Sequence, residues 1–169
     1  AIIEDACKGR DGAHVLDVGC GFGGDLQKWA AHNVHVDMCE PDLSALKEAK
    51  RRAKSLNIHV RFIHGDIRSC PQKQYDIICY NFSLHYIFES KDTFIQTIKS
   101  IRKLLKKGGI LVGCIPDCEQ ILMNTPFSDD LGNKMIRSEK TGFGEFGEKL
   151  FVLLAETPFY ANGPRPEPL

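Results

Sequence analysis

Residues 15–25 read Val-Leu-Asp-Val-Gly-Cys-Gly-Phe-Gly-Gly-Asp, an apolar run that breaks into four glycines within six residues. The run predicts a buried strand over 14–18. Glycines at that density let the backbone turn sharply into a helix and admit a ligand that a β-carbon would obstruct. Asp25 is expected to open that helix, with Leu26, Trp29 and Ala30 on its buried side.

Outward from this turn, short apolar runs alternate with helical periods, the pattern of a βαβ chain. A second strand over 34–39 ends at Glu40. Leu43, Leu46, Ala49, Ala53 and Leu56 then recur at helical spacing, with Lys47, Lys50, Arg51, Arg52 and Lys54 forming a solvated basic face. A third strand over 60–63 leads into Gly65-Asp66, and a fourth over 75–82 leads into Ser83, His85 and Tyr86. Phe94, Ile98, Ile101 and Leu105 mark the longest helix, expected to stop at Gly108-Gly109 before a fifth strand over 110–115 and Pro116. Right-handed crossovers make this an α/β, doubly wound, mostly parallel sheet whose ligands sit at the carboxyl ends of the strands. Such sheets often have six or seven strands, so the chain is expected to be a fragment that lacks its last ones. Beyond Pro116, a short helix over 119–123 and a strand over 149–155 are expected. Pro158, Pro164, Pro166 and Pro168 predict an irregular, lid-like end over 156–169.

The chain has 169 residues, 43% hydrophobic and 26% charged, the make-up of one globular domain. Lys plus Arg and Asp plus Glu both number 22, so any polyanion must be met by a local patch. Seven scattered cysteines, several in apolar runs, read as buried free thiols of an intracellular protein without structural disulfides. Cys114 and Cys118 alone do not make a zinc site, and no metal is assigned. Neither a signal peptide nor a membrane-spanning run is visible.

The carboxylates around the glycine turn choose among nucleotide-type ligands. Glu40, about 20 residues beyond the glycines, stands where ribose hydroxyls are bound. Both NAD and S-adenosylmethionine satisfy that. The order G-C-G-F-G-G departs from G-x-G-x-x-G, Asp17 precedes the first glycine by two residues, and Asp66 adds a third carboxylate. Acidic groups repel a pyrophosphate and attract a sulfonium with its α-amino group, which favours S-adenosylmethionine. Asp66 would accept from the adenine amino group while Ile67 covers a ring face.

With VLDVGCGFGGDLQKW, YDIICYNFSLHYIFES, GGILVGCIPD, FGEKL and the closing PEPL in this order, the sequence resembles the mRNA cap guanine-N7 methyltransferase family, in particular the capping enzymes of large DNA viruses. The resemblance runs from Val15 to Leu169 and implies a class I S-adenosylmethionine-dependent methyltransferase fold forming a single catalytic domain over 1–169, with 156–169 closing on the cap site. It implies that Gly19, Glu40, Asp66, Asn81 and Tyr86 contact S-adenosylmethionine, with Asp17, Gly21 and Ile67 nearby. His85, Tyr86, Pro116 and Glu167 would hold the cap guanine, His85, Tyr86 and Glu167 being the catalytic set, and Lys28 and Arg52 would lie near the cap phosphates. The residue types suit these tasks: a carboxylate accepts from guanine N1 and N2, His and Tyr offer a stacking face, and Lys and Arg neutralise phosphate. Implied partners are 5'-capped mRNA, guanylyltransferase and triphosphatase domains of the same polypeptide, or a stimulatory subunit. The setting would be cytoplasmic for a viral enzyme and nuclear for a cellular one.

Two departures stand out. Phe22 occupies a position where the family has lysine, and an N-terminal segment carrying a further cofactor-contacting lysine lies outside the 169 residues. Two other readings use the same cofactor half: a small-molecule methyltransferase, and a non-catalytic or regulatory subunit that binds S-adenosylmethionine. An NAD-linked oxidoreductase ranks last.

Overall fold

The structure, a computed structural model, describes residues 2–137, 146–157 and 160–168. Their contacts group into two compact units, one of residues 1–84 and 96–114, the other of 85–95 and 115–169.

The first unit is built on five parallel strands, β1 (Ala13–Val18), β2 (Val34–Glu40), β3 (Arg61–His64), β4 (Tyr75–Asn81) and β5 (Leu105–Cys114), in the order β3-β2-β1-β4-β5. This is the doubly wound arrangement expected from the βαβ pattern. Alternation along β1 shows why both faces are covered: Ala13 and Val15 join Met38 and Ile77 on one face, Leu16 and Val18 join Tyr75 and Ile78 on the other. The first face packs on α1 (Ile2–Cys7), α2 (Leu26–Ala30) and α3 (Leu43–Ser55) through Ile3, Trp29 and Ala53. The second packs on α4 (Lys91–Leu104) through Ile101 and Leu104, and on a 3-10 turn, Ile67–Ser69, through Ile67. Asp42 starts α3 by accepting from the amides of Ser44 (2.8 Å) and Ala45 (3.2 Å), two donors the first helical turn leaves unpaired.

Two expectations for this unit are corrected. The long helix ends at Leu104, and β5 begins at once, because Leu105 pairs with Tyr75 before a bulge carries the register to Ile110 opposite Ile77. Asp25 precedes α2 but makes no capping bond, since its carboxylate is committed elsewhere.

The second unit carries α5 (Cys118–Met123) and a four-stranded antiparallel sheet, β6 (Phe127–Ser128), β7 (Lys134–Arg137), β8 (Lys149–Leu153) and β9 (Arg165–Pro168), in that order. Strand β9 corrects the reading of 156–169 as wholly irregular. An edge strand needs only alternate amides for its single neighbour, and Arg165 and Glu167 alternate with Pro166 and Pro168. In the same unit the rings of Phe88, Phe94 and Phe146 pack at 5.5–6.4 Å, Phe88 stacked on the other two, and the Gly147 amide donates to the Phe88 carbonyl at 3.0 Å, which fixes the 3-10 segment Leu84–Glu89. The cysteines are free thiols; Cys7, Cys39, Cys70 and Cys79 are buried as expected, whereas Cys118 is exposed. Among the described residues no helix is long and apolar enough to cross a membrane.

Candidate functional site

At the carboxyl ends of β1, β2 and β4, three features build a cradle in the first unit. Gly19 has φ +74°, and a β-carbon there would stand 2.5 Å from Ser83 Cβ, so only glycine fits beneath the β4 exit. Ser83 in turn donates its hydroxyl to the Val18 carbonyl, tying that exit to the glycine turn. Gly21 has φ +50° and open space where its β-carbon would be, room for a ligand to approach the backbone. Its amide donates to Glu40 Oε2 at 2.8 Å, while Glu40 Oε1 accepts from the Asp42 amide at 2.8 Å. The glycine turn and the carboxylate after β2 therefore hold each other in place, with one lone pair on each oxygen still available to hydroxyl donors.

Three carboxylates crowd this end of the sheet. Asp17 is buried, accepts from the Trp29 indole at 2.9 Å, and is pushed up to about 7 by burial, with Asp25 and Glu40 adding repulsion. Burial also raises Glu40 above the ordinary carboxylate range, against the pull of its two amide donors. Asp25 joins two expected site residues: Oδ1 accepts from Lys28 Nζ at 2.5 Å and Oδ2 from Asn81 Nδ2 at 2.7 Å. This bridge was not foreseen, because an aspartate before a helix reads as a cap. Crowded carboxylates suit a cationic ligand, whose charge would draw Asp17 back toward its ionised form, and disfavour a pyrophosphate.

The other expected contacts of this unit lie as follows. Ile67 is buried beneath the 3-10 turn, and Asp66 caps that turn by accepting from the Arg68 amide at 2.8 Å. The Arg68 guanidinium also pairs with Asp66 and holds it below the usual carboxylate range. Arg52 pairs with Glu48 at 2.9 Å, and Lys28 with Asp25, so neither candidate phosphate contact is an isolated cation.

In the second unit the fold gathers His85, Tyr86 and Glu167. The His85 and Tyr86 rings pack at 4.4 Å between centroids, tilted by 33°. His85 Nε2 lies 3.4 Å from Glu167 Oε2, and both residues are 8% exposed. Tyr160 donates its hydroxyl to Glu167 Oε1 at 3.3 Å, a partner that no spacing rule announces. His85 Nδ1 is buried with no hydrogen-bond partner among the described residues, and Tyr86 is 39% exposed. Together they offer a half-open aromatic face beside a buried carboxylate and an unsatisfied ring nitrogen. Pro116, half-buried, stands in the link from β5 to α5 and makes no hydrogen bond to this group. Among the described residues no group of three or more His, Cys, Asp or Glu is arranged to hold a metal.

The fold, the glycine turn and the carboxylates of Asp17, Asp25 and Glu40 around it define a class. The family model described as "Methyltransferase domain" matches residues 15–109, and the chain belongs to that family. More narrowly, it is similar to enzymes named mRNA cap guanine-N(7) methyltransferase: 29% identical to that of Schizosaccharomyces pombe over 85% of this chain and 40% of the relative, and 34% identical to that of Eremothecium gossypii over 71% of this chain and 31% of the relative. The chain thus spans well under half the length of these curated relatives. They are fungal, so they do not carry the viral placement expected above. Among solved structures, a Pyrococcus horikoshii OT3 protein matches 95% of this chain and 68% of its own with a TM-score of 0.70 at 20% identity, a likeness of fold. A Thiobacillus denitrificans S-adenosylmethionine-dependent methyltransferase, solved with S-adenosyl-L-homocysteine, matches 71% of this chain and 51% of its own with a TM-score of 0.54 at 27% identity.

Proposed function

We propose that this chain is the catalytic part of an mRNA cap guanine-N7 methyltransferase. The observation that carries the reading is the meeting of His85 and Glu167, 82 residues apart in sequence, as a buried pair with the half-open Tyr86 ring packed against His85. The similarity to the cap methyltransferases supports it.

S-adenosylmethionine supplies an electrophilic methyl group on a positively charged sulfur. The site fits it: Gly21 leaves backbone room, Glu40 keeps acceptor capacity for the ribose hydroxyls, and the field of Asp17, Asp25 and Glu40 favours a cation. Asn81 would sit beside the amino-acid part, and Asp66 would accept from adenine once it shares Arg68.

Guanine N7 attacks with a lone pair and carries no proton. As the new N–C bond forms, the C–S bond breaks and its electron pair stays on sulfur, leaving a neutral thioether and a positive charge on the guanine ring. No general base is needed. The protein contributes position and field: Glu167 accepts from the guanine N1 and N2 donors, His85 and Tyr86 hold the ring plane, and the Glu167 carboxylate opposes the charge arriving on guanine.

The test is methyl transfer from labelled S-adenosylmethionine to GpppG-capped RNA, with uncapped RNA as control and the product mapped to N7. Cap-dependent N7 methylation is expected. Methylation of small acceptors alone would make this a small-molecule methyltransferase, and cofactor and cap binding without product would make it a non-catalytic subunit.

A further inference from the structure

Helix α3 carries five basic residues, and its electrostatics divide them. Arg51 and Arg52 both close on Glu48, whereas Lys47, Lys50 and Lys54 are exposed and form no ion pair among the described residues. These three recur at i, i+3 and i+7, one stripe along the helix. The stripe begins at Lys47, in the second turn of the helix that follows the Asp42 cap, and the Asp42 amide donates to Glu40. From Lys47 to Lys54 it covers about 10 Å of the helix, two turns at a rise of about 1.5 Å per residue.

At its far end lies an open hollow of ≈580 Å³ that also belongs to the first unit. Lys50 and Lys54 border it from the helix, His59 from the approach to β3 and Arg61 from its first position. Its floor is apolar, with Val60 and Phe62 half-buried against the core, and no carboxylate lines it. β3 is the edge of the parallel sheet, and among the described residues no further strand covers this side. Three cations, Lys50, Lys54 and Arg61, and the His59 ring around an apolar, partly aromatic floor match a flexible polyanion whose units have flat apolar faces. Single-stranded RNA meets both requirements, because phosphates take the rim and bases rest on the floor. An acidic peptide would use the rim alone.

We propose that the α3 stripe and the hollow beside β3 form a track for the RNA chain that follows the cap. This inference rests on the cap-methyltransferase reading and extends it: the chain would hold its substrate by the transcript body as well as by the cap. It accounts for a strongly basic surface on a chain whose formal net charge is zero.

The experiment compares the full chain with a triple variant, Lys50→Glu, Lys54→Glu, Arg61→Glu, on two acceptors, the GpppG dinucleotide and a capped unstructured RNA of about 20 nucleotides. The expected result is a fall of roughly tenfold or more in kcat/KM on the capped RNA, through KM, with the dinucleotide and S-adenosylhomocysteine affinity changed by less than about twofold. Fluorescence anisotropy on uncapped RNA of the same length is read alongside across a salt series. There the slope of log affinity against log salt should shrink by about two, the loss of three single-strand phosphate contacts. Equal losses on both acceptors, or an unchanged RNA affinity and slope, would overturn the track. Absence of methyl transfer to either acceptor by the wild-type chain would sink the cap reading, while the anisotropy slope would still decide the track. Should circular dichroism show the glutamate variant unfolded, the set Lys50→Gln, Lys54→Gln, Arg61→Gln is read by the same slope.

Discussion

The two compact units make their candidate sites in opposite ways. Around the glycine turn, the parallel sheet builds a site mainly from backbone: amides of Gly21 and Asp42 fix Glu40, and Gly19 exists to clear Ser83. In the antiparallel unit the site is made from side chains alone, with Glu167 on the edge strand β9 meeting His85 from the 3-10 segment. A backbone site is written into a few consecutive residues and tolerates little change of shape. A side-chain site is assembled by long-range pairing and tolerates changes of shape better than changes of chemistry.

That contrast can be broken at several strengths. The largest effect is expected from Gly19→Ala, which combines positive φ with a β-carbon 2.5 Å from Ser83. Strain and clash together should weaken S-adenosylhomocysteine binding by about a hundredfold or more, read by calorimetry. Adding Ser83→Gly should restore part of the loss, and no recovery would mean that φ alone sets the requirement.

His85→Ala, Tyr86→Ala and Glu167→Gln should come next. Each is expected to lower kcat/KM on capped RNA by roughly 10- to 100-fold, the worth of one hydrogen bond to a charged or strongly polar group. The fold should stay intact in all three, as should the cofactor affinity of the His85 and Glu167 variants. Undiminished methylation by the His85 and Tyr86 variants would remove the cap-site assignment from this unit.

Glu40→Gln is a subtler probe. The two amides sit on different carboxylate oxygens, so in glutamine one of them must face an NH₂ donor, and cofactor affinity should fall about tenfold, with turnover at saturating cofactor nearly unchanged. A wild-type affinity would show that the amides hold the turn without help.

The smallest effect is a pH dependence of stability. Asp17 titrates at about 7 in the folded chain against an ordinary 3.8, so the folded state holds this proton more tightly than the unfolded one. Its contribution is therefore present at low pH and is lost as pH rises through about 7. Asp17→Asn keeps an acceptor for the Trp29 indole, and its Tm relative to wild type should rise by a few degrees between about pH 5 and about pH 8. Asp25→Asn, which removes a repelling neighbour, should lower the Asp17 titration midpoint in the wild-type background. A flat difference in Tm would mean that Asp17 is ionised throughout.

Much of the first unit was legible. Apolar runs separated by helical periods gave the five strands in order, and glycines 19, 21, 23 and 24 marked the turn, because strand alternation and φ freedom act within a few residues. The start of β5 was missed, since Leu105-Lys-Lys-Gly-Gly continues a helical pattern until Tyr75 offers it a partner. The second sheet was mostly hidden. β6 has two residues and β7 four, too short for a period, and the prolines of β9 argue against a strand until β8 supplies an edge.

Residue types and their order were enough to specify the doubly wound sheet, its glycine turn and the carboxylates offered as candidate contacts. Tertiary structure alone decided how those groups are spent: Asp25 bridges Lys28 and Asn81 and does not cap its helix, Asp66 answers to Arg68, and Glu167 finds both His85 and Tyr160. The reason is physical. Periodicity and backbone sterics are local properties of the chain, whereas which donor reaches a carboxylate depends on what the fold places opposite it, and no spacing along the sequence encodes that distance.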